Sequence, residues 1–179
     1  MKILAIPATN HKNSINRLLL TYAATILDAQ SGGAVEVDFV DLNDYEFAIY
    51  SPEREAEGIP AGARELFDRI GSADAIMVSF AEYNGSYTPA WKNTFDWMSR
   101  IDTGVYQGRR VVLLAATPGP RAGAGVLGAA TMATPHFGAD VIGHLGIGSF
   151  AENFDLANGR ISNDELDTQL RDILIVLAG

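Results

Sequence analysis

Two kinds of apolar run alternate with polar stretches along the chain, and together they predict a layered α/β architecture. Lys2 to Pro7, Ala75 to Phe80 and Val111 to Ala116 carry apolar residues that do not alternate, as strands covered on both faces do. Val35 to Phe39 alternates strictly, which suits an edge strand with one buried face. Asp140 to Ile147 is a weaker run interrupted by Gly143 and Gly146, and this places it at the other edge. Helical spacing links Ile15, Leu18, Leu19, Tyr22 and Ile26, then Ala63, Leu66, Phe67 and Ile70, and finally Leu166, Leu170, Ile173, Leu174 and Leu177. Ser162 and Glu165 read as a capping box that opens the last of these helices. A helix begun by Pro89 carries Trp91, Phe95, Trp97 and Met98 on more than one face, so it is either sandwiched within the fold or set against another protomer. A glycine-rich helix runs through Val126, Leu127, Ala130 and Phe137.

Strands alternating with helices imply a parallel sheet with right-handed crossovers. With the second and fifth runs at the edges, the strand order is 2-1-3-4-5 and the chain reads as a single domain over 1–179. The topological switch point then lies between strands one and three, where open α/β sheets bind ligands. Asp41 to Pro60 is the longest irregular stretch, and a connection of this length is usually functional or mobile.

Composition narrows the chemistry. The chain has no cysteine, which excludes disulfides, thiolate metal sites and cysteine nucleophiles. A formal charge of −9 argues against nucleic acid and against an anionic membrane surface as partners. The first eight residues are too short for a signal peptide's apolar core, and no run approaches the length of a membrane helix, so the expected location is cytoplasmic. His136 and His144 are isolated, no serine has a nucleophile-elbow context, and the acid pairs read as solvated charge.

Three strand-to-helix junctions hold the candidate chemistry. Thr9, Asn10, His11, Lys12, Ser14, Ile15 and Asn16 form a loop of short polar side chains ending at a helix N-terminus, which has the composition of a phosphate site and equally that of a solvated loop with an N-cap. It matches neither the nucleoside-triphosphate loop nor the dinucleotide fingerprint. Ala81, Glu82, Tyr83, Asn84 and Gly85 form a second loop, in which Asn84-Gly85 favours a tight turn that leaves backbone N–H groups pointing outward. Thr117, Pro118 and Gly119 begin a third, and Arg121 beyond it reads either as an exposed loop arginine or as a contact for a nucleotide phosphate.

The string Glu82-Tyr83-Asn84-Gly85-Ser86-Tyr87-Thr88-Pro89-Ala90, with Lys92-Asn93 and Asp96-Trp97 after it, resembles the signature of the NADPH-dependent FMN reductase family, the flavodoxin-like quinone, chromate, azo and nitro reductases. Weaker similarity runs over the whole chain. Ala81 stands where the family usually has proline. In the first loop Thr9 stands for the family's serine, Ser14 and Asn16 match, His11 replaces arginine and Ala8 replaces glycine. A neutral imidazole can still donate one hydrogen bond to a phosphate, and Lys12 is adjacent. The resemblance implies a flavodoxin-like, three-layer doubly wound α/β fold and an FMN-dependent NAD(P)H oxidoreductase. On it, Thr9 to Asn16 hold the FMN phosphate, Ala81 to Gly85 bond the polar edge of the flavin ring through backbone groups, and Thr117 to Gly119 close the other side. It also implies NADPH or NADH as co-substrate, a small-molecule electron acceptor such as a quinone, and a homodimer or homotetramer. The absence of an obvious acid, base or nucleophile agrees with chemistry carried by the cofactor. A flavodoxin-type electron carrier and a flavin-free binding scaffold remain as other readings. A phosphoacceptor receiver shares the strand order but needs carboxylates that Pro7-Ala8-Thr9-Asn10 and Phe80-Ala81 do not offer.

Overall fold

The computed structural model describes residues 1–179. Its elements, in chain order, are β1 (Lys2–Ala8), α1 (Ile15–Ser31), β2 (Glu36–Phe39), α2 (Pro52–Glu57), α3 (Ala61–Ser72), β3 (Ala75–Phe80), α4 (Pro89–Met98), β4 (Arg110–Ala116), α5 (Ala124–Ala133), β5 (Asp140–Ile147), α6 (Phe150–Asn153), β6 (Phe154–Asp155), β7 (Arg160–Ile161) and α7 (Asp164–Ala178), with 3₁₀ turns at Leu42–Asp44 and Thr134–Phe137. The five main strands are parallel in the order β2-β1-β3-β4-β5, so the flavodoxin-like expectation is met.

Period-two geometry sorts each central strand between two cores. Leu4, Ile6, Ile76, Val78, Phe80, Val111 and Leu113 face α3, α4 and α5 through Leu66, Ile70, Trp91, Met98 and Val126. Ile3, Ala5, Ala75, Met77, Val112 and Leu114 face α1 and α7 through Leu19, Ala23, Leu27, Leu170 and Leu174. Because both faces are covered, the central strands have no polar positions to alternate with, apart from Ser79 and the partly buried first residues Lys2 and Arg110. The edge strand β2 keeps Asp38 paired with Lys2 at 3.3 Å and with Arg69 at 2.8 Å.

Several expectations need correction. Leu18 is 39% exposed, because Leu19, Leu20, Ala23 and Leu27 occupy the buried face of α1. The α7 cap is Asn163, one residue beyond Ser162, and its side chain accepts from the N–H groups of Glu165 and Leu166. The stretch 41–60 contains a 3₁₀ turn and α2, and part of it lies over α4: Asn93 Oδ1 accepts from Tyr50 N at 2.9 Å and Trp97 Nε1 donates to Ala48 O at 2.8 Å. That cover, with the sheet on the other side, buries Trp91, Trp97 and Met98 within the protomer. The apolar α4 is therefore sandwiched and needs no second subunit. Between β5 and α7 lies the short β6–β7 hairpin, which no periodicity announced.

Candidate functional site

The carboxyl ends of β1, β3 and β4 open onto one cleft of about 210 Å³. It is lined by Thr9, His11, Asn13, Ser14, Ile15, Asn16, Ala81, Glu82, Tyr83, Ala116, Thr117 and Pro118, so residues of all three expected loops meet there. Asn13 and Ala116 are the two lining residues absent from the expected set. Asn13 sits inside the first loop and could have been included on that ground. Asn10, Lys12, Asn84, Gly85 and Gly119 lie outside this lining.

The first loop is built by local hydrogen bonds. Thr9, nearly buried, accepts from His11 N at 3.2 Å, and His11 Nδ1 accepts from Asn13 N at 3.4 Å, which leaves the proton of a neutral ring on Nε2. Ser14 caps α1 by accepting from Asn16 N at 3.1 Å. The hydroxyl protons of Thr9 and Ser14 remain free to donate. So do the backbone N–H groups of Asn10, Lys12, Ser14 and Ile15, which have no acceptor in the protein. This is a donor-rich helix N-terminus of the kind that holds anions.

Asn16 has a different task. It is 1% exposed, its Oδ1 accepts from Ala116 N and from Ser79 Oγ, each at 2.8 Å, and its Nδ2 donates to Ala116 O at 3.1 Å. The last pairing of β4 with β3 is at Phe80–Ala115, so Asn16 supplies to Ala116 the bonds that β3 no longer offers. Its side chain secures the cleft floor.

In the second loop Asn84 and Gly85 have φ of 54° and 79°, and Tyr83 and Ser86 exchange N–H···O bonds of 3.0 and 3.1 Å across them. Two positive-φ residues between a bonded pair make a type I′ turn, which Asn-Gly favours. The N–H groups of Glu82, Asn84 and Gly85 have no acceptor in the protein. Thr88 caps α4 and donates to Ala8 O at 2.9 Å, tying this loop to β1. Glu82 turns its carboxylate away from the open cleft: Oε2 accepts from Val126 N at 2.9 Å near the start of α5, and Arg121 lies 3.7 Å from Oε1. Arg121 is itself 80% exposed in its side chain.

In the third loop the Thr117 hydroxyl donates to Gly119 O at 3.0 Å, and a Cβ built on Gly119 or Gly85 would meet nothing within 4 Å. Both glycines thus border open space with backbone exposed, and this suits a flat ring whose polar edge is read by main-chain groups. A phosphate at the α1 N-terminus and an uncharged polar edge at the second loop match the donors present, so the site fits FMN.

Lys12 departs from expectation. It lines a neighbouring cavity with Pro7, Thr9, His11, Arg17, Val40, Asp41 and Asn43, on the other side of the first loop.

A doubly wound sheet with a donor-lined cleft at its switch point defines a flavodoxin-like nucleotide-binding protein. A family profile described as NADPH-dependent FMN reductase matches residues 1–152, and the chain belongs to that family. An FMN reductase (NADPH) of Pseudomonas aeruginosa is 30% identical over 175 residues, covering 95% of this chain and 87% of the relative. An NAD(P)H-dependent FMN reductase of the same organism is 25% identical over 119 residues, and there the match covers 66% of this chain and 61% of the relative's length. Among solved structures, the flavoenzyme NAD(P)H:(acceptor) oxidoreductase FerB of Paracoccus denitrificans superposes with a TM-score of 0.74 at 21% identity, covering 99% of this chain and 94% of that one. At that identity the likeness bears on the fold.

Proposed function

We propose that the chain is a one-domain, FMN-dependent NAD(P)H oxidoreductase that reduces a small acceptor such as a quinone. The observation that carries this reading is the convergence of three loops on one cleft rich in main-chain donors and hydroxyls, where His11 is the one basic side chain and the Glu82 carboxylate is engaged by Val126 N. When bound, FMN would supply the redox chemistry, a ping-pong hydride transfer from NAD(P)H to the acceptor. The protein binds and orients. The Thr9 and Ser14 hydroxyls with the N–H groups of Asn10, Ser14 and Ile15 hold the phosphate. The N–H groups of Glu82, Asn84 and Gly85 hold the polar edge of the ring, and Thr117 to Gly119 close the other side. Tyr83, 45% exposed at the rim, shields the cleft from water. The cofactor resides in a cytoplasmic protein on this reading, and no helix is long and apolar enough to cross a membrane. A homodimer or homotetramer is part of the proposal, supported by Ile49, 76% exposed beside Asn10 and Pro89, as an apolar group for a second copy to cover.

The test is a visible spectrum of the purified protein, before and after FMN and then NADPH, followed by steady NADPH or NADH consumption with a quinone. Flavin absorption that bleaches, with turnover, supports the proposal; a protein that stays colourless in millimolar FMN removes it. The charge of −9 keeps a flavodoxin-type electron carrier as the second reading. Flavin binding without nicotinamide oxidation would favour it.

A further inference from the structure

A cavity of about 550 Å³ lies between α5 and the edge strand β5 and shares no lining residue with the cleft at the switch point. It borders the third loop through Arg121 and Ala122, whereas the cleft borders that loop through Thr117 and Pro118. Its size falls within the roughly 300–1,000 Å³ of small-molecule sites. Two glycines shape it. Gly128 stands in the middle of α5, where glycine is a poor helix former, yet a Cβ built on it meets nothing within 4 Å, so no packing contact requires a missing side chain there. Gly146 in β5 lets the third loop close down on the strand, because a Cβ there would strike Ala122 O. The walls are apolar: Ala124, Leu127 and Met132 line them, and Met132 is 78% exposed, a flexible thioether at the rim.

The charge at this cavity runs against the charge of the chain. Arg121 and His144 line it and no carboxylate does, although the chain carries 22 acidic against 13 basic side chains. The one ion pair of Arg121 is with Glu82 Oε1, at 3.7 Å, and the arginine side chain is 80% exposed. Glu82 offers no two-oxygen partner, because its Oε2 accepts from Val126 N at 2.9 Å. The planar guanidinium fork is therefore left with donors to spare, and its geometry matches a carboxylate taken through both oxygens. His144 is exposed on the edge strand beside it.

We infer that this cavity binds a small organic monocarboxylate with an apolar body. The carboxylate takes the Arg121 fork with His144 as a further donor, and the apolar body lies against Gly128, Leu127 and Met132. The inference does not depend on flavin chemistry in the neighbouring cleft, and either can fail without the other.

Benzoate is the probe, with benzamide as its uncharged isostere and acetate as the anion without an apolar body. The chain has three histidines, so one NMR titration of the purified protein at constant pH reads the ring signals of His144, at this cavity, and of His11, at the cleft, once His144→Gln and His11→Gln have assigned them. The expected result is a saturable shift of His144 by benzoate with His11 unmoved, and affinities for benzamide and acetate each lower by at least about tenfold. Arg121→Gln should weaken benzoate about tenfold. Because that variant also removes the contact with Glu82, Gly128→Leu supplies an independent test: its side chain grows into the open space, suits the helix, and should abolish benzoate binding. A His144 signal indifferent to benzoate, a titration that moves His11 instead, or undiminished affinity in Gly128→Leu with its fold intact by circular dichroism would overturn the inference. So would a dimer that Gly128→Leu dissociates and benzoate does not, since the cavity would then belong to a second copy of the chain.

Discussion

Asn16 stands where the family resemblance puts a phosphate ligand, yet the structure makes it a fastening of the cleft floor. Changing Asn16 to Ala orphans the N–H and C=O of Ala116 and the hydroxyl of Ser79, all in a region where Asn16 itself is 1% exposed. Each orphaned buried group costs about 1–3 kcal/mol, and water entering from the adjacent cleft recovers part of it, so the expected loss is about 3 kcal/mol. With a urea slope of about 2 kcal/mol/M, this is a midpoint shift of about 1.5 M. Asn16→Asp adds a sign test. Its Oδ1 keeps both donors, but the second oxygen faces the Ala116 carbonyl that Nδ2 now reaches at 3.1 Å. Only the protonated acid can donate there, so the folded-state pKa rises above the unfolded value of about 3.9. Stability relative to wild type is then retained below that value and lost as pH rises through the raised folded pKa. Urea titrations of wild type and both variants at pH 4 and pH 7 measure this. An Asn16→Ala loss under about 1 kcal/mol, or an Asp penalty that does not grow between the two pH values, would refute the fastening role.

Gly85→Val should fold, because an added Cβ meets nothing within 4 Å, but at φ +79° it strains the turn by about 1–2 kcal/mol. Flavin titration should show affinity reduced at least about tenfold as the turn's N–H groups move; unchanged affinity counts against the cleft. Gly125→Ala and Gly128→Ala, on the same helix, should have opposite effects on Tm. At Gly125 the new methyl would lie 2.6 Å from Gly85 O and 2.9 Å from Glu82 Oε2, costing about 1–3 kcal/mol. At Gly128 it meets open space and adds helix propensity of up to about 1 kcal/mol. Tyr22 donates to Asp167 Oδ1 at 2.5 Å and accepts from Arg171 Nη2 at 2.9 Å, joining α1 to α7. Burial first, and Asp167 next, raise its pKa above 10.0, so the stability it contributes is present below pH 10 and lost as pH rises through the higher folded value. Tyr22→Phe should flatten that alkaline loss in thermal melts; a limb of unchanged steepness assigns it elsewhere.

The sheet was legible because its inner strands are covered on both faces, so Ala75–Phe80 and Val111–Ala116 stand out as unbroken apolar runs, and β5 shows its edge position through its glycines. Those glycines have packing reasons the sequence hides: a Cβ on Gly146 would strike Ala122 O, and one on Gly143 would strike Ile173. Helix caps were less legible. Ser162 and Asn163 are both good caps, and the choice fell to the residue whose side chain reaches two N–H groups. The β6–β7 hairpin has two-residue strands, too short to show a period. At the site, loop membership was readable, whereas side-chain direction was not. Asn16 meets Ala116 across 100 positions and Glu82 meets Val126 across 44, and nothing local specifies either bond. Lys12 faces the second cavity because its neighbours Thr9 and His11 together form the wall.

These long-range bonds explain how a cleft made of loops keeps its shape. Beyond Ala8, Phe80 and Ala116 the strand ladders end, and apolar packing gives way to open space, so the three loops need another means of holding register. Three polar side chains tie the first two loops to neighbouring elements. Asn16 ties the first loop to β4, Thr88 ties the second to β1, and Glu82 ties the second to the start of α5. All three side chains point into the protein, and the main-chain donors of the same loops are left on the outer side. Conformational freedom is thus removed during folding rather than at binding. Ligand affinity is not offset by the cost of ordering the rim, and this is what preorganisation supplies to a site whose chemistry resides in its cofactor.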